Sequence, residues 1–164
     1  MKLVDAPGDA TELDSPQRLT RSKAYEQIGL AAARLGQNTR AASALAGSLE
    51  LIEKLADESP DNAALREQTA AAHQNLGDAS LLIEKYEDAE RHFKKTFELR
   101  AAAVDPQSLS SEARRLLAVS NDRIANPLLT QKKYRTAMAT NESSLSIPEP
   151  LIAEKPNDPG PRRT

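Results

Sequence analysis

LGDASLLIEKYEDAERHF, residues Leu76 to Phe93, pairs two large apolar residues with two small ones. Leu76 and Phe93 are the large ones, and Gly77 and Ala89 are small where a second helix must come close. A glycine inside a helix costs about 1 kcal/mol against alanine, so Gly77 needs a packing reason. The spacing predicts a short antiparallel helix pair, with Gly77 at its closest approach and Phe93 filling the space beside it.

A step of 48 residues finds the pattern again on both sides. Upstream, Ile28-Gly29 stands for Leu76-Gly77, Ala41 for Ala89 and Leu45 for Phe93. Downstream, Ile124-Ala125, Ala137 and Asn141 take the same slots. Tyr86 and Tyr134, Lys85 and Lys133, and the set Arg18, Arg66 and Arg114 keep this register without a gap. Such self-similarity is the mark of a repeat architecture, whose units bury their apolar faces on one another.

The order Leu-Gly, then Ala, three residues and Phe resembles the core of the tetratricopeptide repeat (TPR). The unit is longer than the family's roughly 34 residues, and both flanks stay in helical phase, which implies longer helices. In this it resembles the elongated tetratricopeptide-like arrays of bacterial proteins, including those behind eukaryotic-like serine/threonine kinase domains. The family's early Trp slot holds Tyr25, His73 and Asn121, and its later Tyr slot holds Ala32, Ser80 and Leu128. The resemblance implies an all-α fold of three antiparallel helix hairpins stacked as an α-solenoid. The resemblance runs from about Ser15 to Asp158, and the repeat domain it implies takes residues 15–147, in units of about 15–60, 61–108 and 109–147. Residues 1–14 read as a flexible lead. Residues 148–164, with five prolines and Gly160, read as an unstructured tail.

Apolar residues make up 39 % of the chain and aromatic ones 3 %. That share is below the usual ~45–50 % and leans on alanine, which suits thin stacked hairpins better than one large core. A net charge of −2 gives no electrostatic case for nucleic acid or an anionic membrane. The absence of cysteine excludes disulfides and thiol chemistry. Neither a signal-peptide run nor a membrane-length apolar run is present, so the expected location is the cytoplasm.

Helix boundaries follow from local chemistry. Ser15-Pro16 reads as a start, with Ser15 as the N-cap, and Gly36 as a stop. Asn38 is the expected cap of a return helix with the stripe Ala41, Leu45, Leu49, Ile52 and Leu55. In the second unit, Ala89, Phe93, Phe97 and Val104 should face inward, with Glu87–Arg91 and Glu90–Lys94 pairs outside. Ser110 or Ser111 should cap the next helix, and Pro127 should kink it. Asn141, in the Phe slot, and Pro148 weaken the last unit.

His73 and His92 lie 19 residues apart on successive helices, with no zinc-protease or cysteine spacing to join them. No nucleophile motif or phosphate loop occurs, so no catalytic residue, metal or cofactor is expected. The groove positions implied by the resemblance are Lys23, Glu26, Leu30 and Arg34 in the first unit. The second supplies Gln74, Asp78 and Leu81, and the third Asp122, Asn126 and Leu129. Glu26 and Leu30 stand where the family's carboxylate clamp places Lys and Asn, which disfavours chaperone tails. The expected function is a non-catalytic protein–protein interaction scaffold that takes a peptide or helix in its concave groove. Alternatives are a structural or self-associating helical segment, such as the tail of a larger signalling kinase, and a small hydrolase or metal enzyme.

Overall fold

The computed structural model describes residues 14–104 and 110–132. Its five helices are α1 (Ser15–Arg34), α2 (Asn38–Glu58), α3 (Ala63–Leu82), α4 (Tyr86–Ala101) and α5 (Ser111–Thr130). There is no strand among the described residues, so the all-α expectation holds. The return helix expected for the third unit, with Asn141 and Pro148, falls outside the described residues.

Each helix packs on its neighbours in the chain, and α1 also reaches α3. The pairing is antiparallel. Arg18 meets Glu58, Ser22 meets Ser48 and Gly29 meets Leu45 across the first hairpin. Glu67 with Arg100, Ala70 with Thr96 and Gly77 with Phe93 do the same across the second.

The turns explain the tight reversals. Gly36 takes φ +72°, and Gln37 N donates to Ala32 O at 2.9 Å while Gly36 N donates to Ala33 O at 3.0 Å. This is the Schellman closure, which uses up the last helical carbonyls. Glu84, at φ 60°, repeats it: Lys85 N reaches Ser80 O and Glu84 N reaches Leu81 O. Lys132 follows α5 at φ 59°, with its N donating to Leu129 O at 3.0 Å. Residues 36, 84 and 132 are spaced by the sequence period, so the repeat is written into the backbone as well.

Three boundary expectations are corrected. Asp14, not Ser15, caps α1: its carboxylate accepts from Gln17 N at 2.8 Å and the Gln17 side chain reaches back to complete a capping box. Gln37 holds the N-cap of α2 without a side-chain bond, and Asn38 instead donates to Leu82 O at the end of α3. Val104 lies beyond α4, which ends at Ala101. Of the two candidate caps for α5, Ser110 is the one used, accepting from Ala113 N.

Two apolar clusters form the interior. Leu45, Leu49, Ile52, Leu55, Leu76 and Ala79 join α2 to α3. Ala89, Phe93, Ile124, Ala125 and Leu128 join α4 to α5, with Leu81 and Phe97 against them. Ile28 departs from its repeat partners: it is 45 % exposed, whereas Leu76 and Ile124 are buried. Leu76 packs against α2 and Ile124 against α4, each the helix before its own. No described helix precedes α1, so the Ile28 slot has nothing to pack on. Pro127 does not end α5, which runs on to Thr130 with the ring fully buried.

Candidate functional site

Helices α1, α3 and α5 carry the ten sequence-derived groove positions. Their surroundings divide them. Lys23, Arg34, Asp122, Asn126 and Leu129 are exposed. Glu26, Gln74, Asp78 and Leu81 take part in joining helices. Glu26 accepts from Asn75 Nδ2 at 2.9 Å, tying α1 to α3. Asp78 takes the Arg123 guanidinium, tying α3 to α5. Asn75 and Arg123 stand one period apart, so one slot reaches back twice, each time to a carboxylate at a different position of the earlier helix. Burial raises the Asp78 carboxyl above its ordinary value, and the Arg123 charge opposes that rise. Leu81 packs beside the second cluster, and Leu30 is half-buried.

Gln74 belongs to a polar junction that composition alone did not show. Arg100, with a side chain only 10 % exposed, grips Glu67 with Nε and Nη2 and gives Nη1 to Gln74 Oε1 and Ser120 Oγ, each at 3.0 Å. One period earlier its slot is Ile52, in the apolar cluster. Three helices therefore meet on a guanidinium where the first hairpin uses a hydrocarbon.

A recess of about 140 Å3 lies between α1, α2 and α3, with Lys23 and Glu26 beside Leu19, Ile52 and Ala72. A much larger cleft, about 720 Å3, is lined by α2 and α4 with His73 contributed by α3. Here the separation of the two histidines in sequence was misleading. His73 Nδ1 and His92 Nδ1 are 3.0 Å apart. The ring centroids lie 5.3 Å apart, which is that contact plus the two ring radii, so the nitrogens point at each other. This is hydrogen-bond geometry, one ring donating and the other accepting, rather than two lone pairs converging on a metal. No group of three metal-ligating side chains occurs among the described residues.

The pair is desolvated. His73 is 6 % exposed. Burial, then the His92 charge, pushes it down from 6.5 to about 4, with Lys95 and Arg91 adding to the fall. Burial likewise lowers His92, helped by Arg91 and opposed by Asp88. Glu53 Oε1 stands 3.2 Å from His73 Nε2 but off the N–H direction, and that nitrogen has no hydrogen-bond partner. Burial also raises the Glu53 carboxyl, with Asp57 and Glu50 adding to the rise and Lys95 opposing it.

Neither a family model nor a curated protein sequence matches this chain.

The outer charge pairs differ from expectation in one place. Glu90 holds Lys94 at 2.6 Å as the spacing predicts, but Arg91 turns to Asp88 at 2.8 Å instead of Glu87. The sequence carried one available signal for the histidine pair: at 19 residues, one at the fourth turn of α3 and one at the second turn of α4, an antiparallel hairpin brings them level. None of the described helices is long and apolar enough to cross a membrane.

Proposed function

We propose that the chain is a non-catalytic protein-interaction scaffold, a TPR-like stack of hairpins that takes a peptide or helix along the face shared by α1, α3 and α5. The observation that supports this reading is the repeated link between those helices, Asn75 to Glu26 and Arg123 to Asp78, with exposed side chains left on either side of it. The links set the spacing of the first helices. Lys23 and Arg34 on α1 and Asp122 on α5 remain exposed, so the α1 side of the face offers two cations and the α5 side a carboxylate. A bound segment carries the reverse order of charge, with an apolar side chain against Leu129. Charges at the rim of such a surface act chiefly on association rate and specificity.

The test begins with crosslinking and mass spectrometry in the native cell to identify the partner. Lys23→Glu with Arg34→Glu should then lower its binding strongly with helicity unchanged, and Lys94→Glu with Lys95→Glu should leave binding intact. The opposite outcome moves the binding surface to the cleft between α2 and α4. Sedimentation at rising concentration separates partner binding from the self-associating alternative, which predicts growing assemblies of the chain alone.

A further inference from the structure

The cleft of about 720 Å3 is lined in part by a contact that the interaction reading does not use. His73 and His92 face each other through like atoms, Nδ1 to Nδ1 at 3.0 Å, and the contact ties α3 to α4 beside the cleft that separates α4 from α2. A ring nitrogen is a donor when protonated and an acceptor when not. One hydrogen between the two nitrogens makes a bond. Protonating both rings puts a hydrogen on each of the facing nitrogens, a clash of donors between two positive rings, in a place where His73 is almost wholly removed from water.

The neighbourhood accommodates one added proton but not two. With His92 accepting, a protonated His73 donates Nδ1–H to His92, and the Glu53 carboxylate, 3.2 Å from its Nε2, offsets the added charge by proximity without a hydrogen bond. A second proton on His92 removes the acceptor, and Glu53 lies beside His73, on the far side from His92. From α2, the carboxylates facing the pair are Glu53 itself, Glu50 and Asp57. From α4, Arg91 and Lys95 oppose protonation and Asp88 favours it on His92. Glu87, Glu90, Lys94 and Glu98 complete the charged wall of the cleft. On α5, the other neighbour of α4, Arg123 is committed to Asp78 and lies over the Phe93 ring.

We propose that the His73–His92 contact is an acid-sensitive latch: it holds α4 against α3 while the pair shares a hydrogen or carries one added proton, and it releases when both rings are protonated. Both histidines are held below their ordinary value in the folded chain, so the unfolded chain takes up protons first as pH falls. The stability supplied by the neutral pair is complete above pH 6.5 and is lost as pH falls towards about 4. Release loosens the second hairpin, widens the cleft next to Leu49 and frees the packing of Phe93 against Gly77.

The chain holds two histidines, so their ring signals are assignable without ambiguity in an NMR titration of the full chain. The experiment follows both rings from neutral pH to about 4, together with amide exchange at Phe93 and Thr96. The expected result is that the rings do not titrate independently, that the later step falls below the ordinary histidine range, and that exchange at Phe93 and Thr96, taken relative to the intrinsic amide rate at each pH, accelerates at least tenfold across that step. In His92→Gln, which keeps a hydrogen-bonding side chain but cannot titrate, the acceleration over the same range should shrink to a few-fold. Two independent titrations near 6.5 without a change in exchange overturn the latch, as does an acceleration of equal size in His92→Gln. If His92→Gln fails to fold at neutral pH, the titration of the unaltered chain still decides.

Discussion

Substituting Gly77 by alanine sets two known effects against each other, and the structure says which wins. Helix propensity alone favours alanine over glycine by about 1 kcal/mol. A Cβ built at Gly77, however, meets Phe93 Cε1 at 2.6 Å, Cδ1 at 2.9 Å and Cζ at 3.0 Å. Carbon atoms rest about 3.5–4.0 Å apart, so the ring would have to retreat by roughly 1 Å. It has little room, being 1 % exposed and packed with Ile124, Ala125 and Leu128. Overpacking of this kind costs about 1–3 kcal/mol. Gly77→Ala should therefore lose about 1 kcal/mol net, and Gly77→Leu more. The decisive comparison is made in a Phe93→Ala background, itself weaker by about 3–5 kcal/mol. With the ring gone, the same Gly77→Ala should gain about 1 kcal/mol, a reversal of sign that corresponds to a coupling of about 2 kcal/mol. Urea unfolding followed by circular dichroism reads all four proteins, using the midpoint shift at constant slope. A Gly77→Ala chain more stable than the parent, or an equal effect in both backgrounds, would refute the close-approach account.

Glu84 occupies a left-handed turn that Gly36 occupies one period earlier, so Glu84→Gly should raise stability by about 1 kcal/mol in the same urea assay. The reciprocal change, Gly36→Ala, should lose about 1 kcal/mol from backbone strain alone, since nothing lies within 4 Å of a Cβ built there. Arg100→Ala leaves Gln74 and Ser120 without their donor and should cost about 2–4 kcal/mol. Glu67→Gln should cost far less, because Glu67 is 54 % exposed and exposed pairs contribute about 0–1 kcal/mol. Calorimetric melting of the two variants side by side checks that order.

Patterns that depend on local spacing were legible in the sequence, and those that depend on rotation about a helix axis were not. Gly77 against Phe93 and Gly29 against Leu45 followed from small and large residues recurring in register. Gly36 was readable as a stop because glycine suits a left-handed turn, while Glu84 and Lys132 take that conformation without announcing it. The expected groove positions fall on α1, α3 and α5, and among them Glu26 and Asp78 are hydrogen-bonded to Asn75 and Arg123. Spacing says which face a residue occupies, and only the side-chain lengths across the gap say whether a neighbour reaches it. His73 and His92 met for a reason no motif encodes: an antiparallel hairpin sets them level, and burial then fixes their chemistry.

The left-handed turns at residues 36 and 84 close with the same hydrogen bonds, and the segment between them holds one return helix and one outgoing helix. Its two ends thus present interchangeable joints. A gene carrying residues 37–84 twice in tandem should lengthen the protein by a whole pair of helices without inventing a new junction. The added copy would offer its Asn75 to the preceding α1-type helix and its Gly77 to the Phe93 that follows. Growth or loss by such cassettes is the kind of change this architecture tolerates, whereas an insertion inside a helix would throw every link beyond it out of phase.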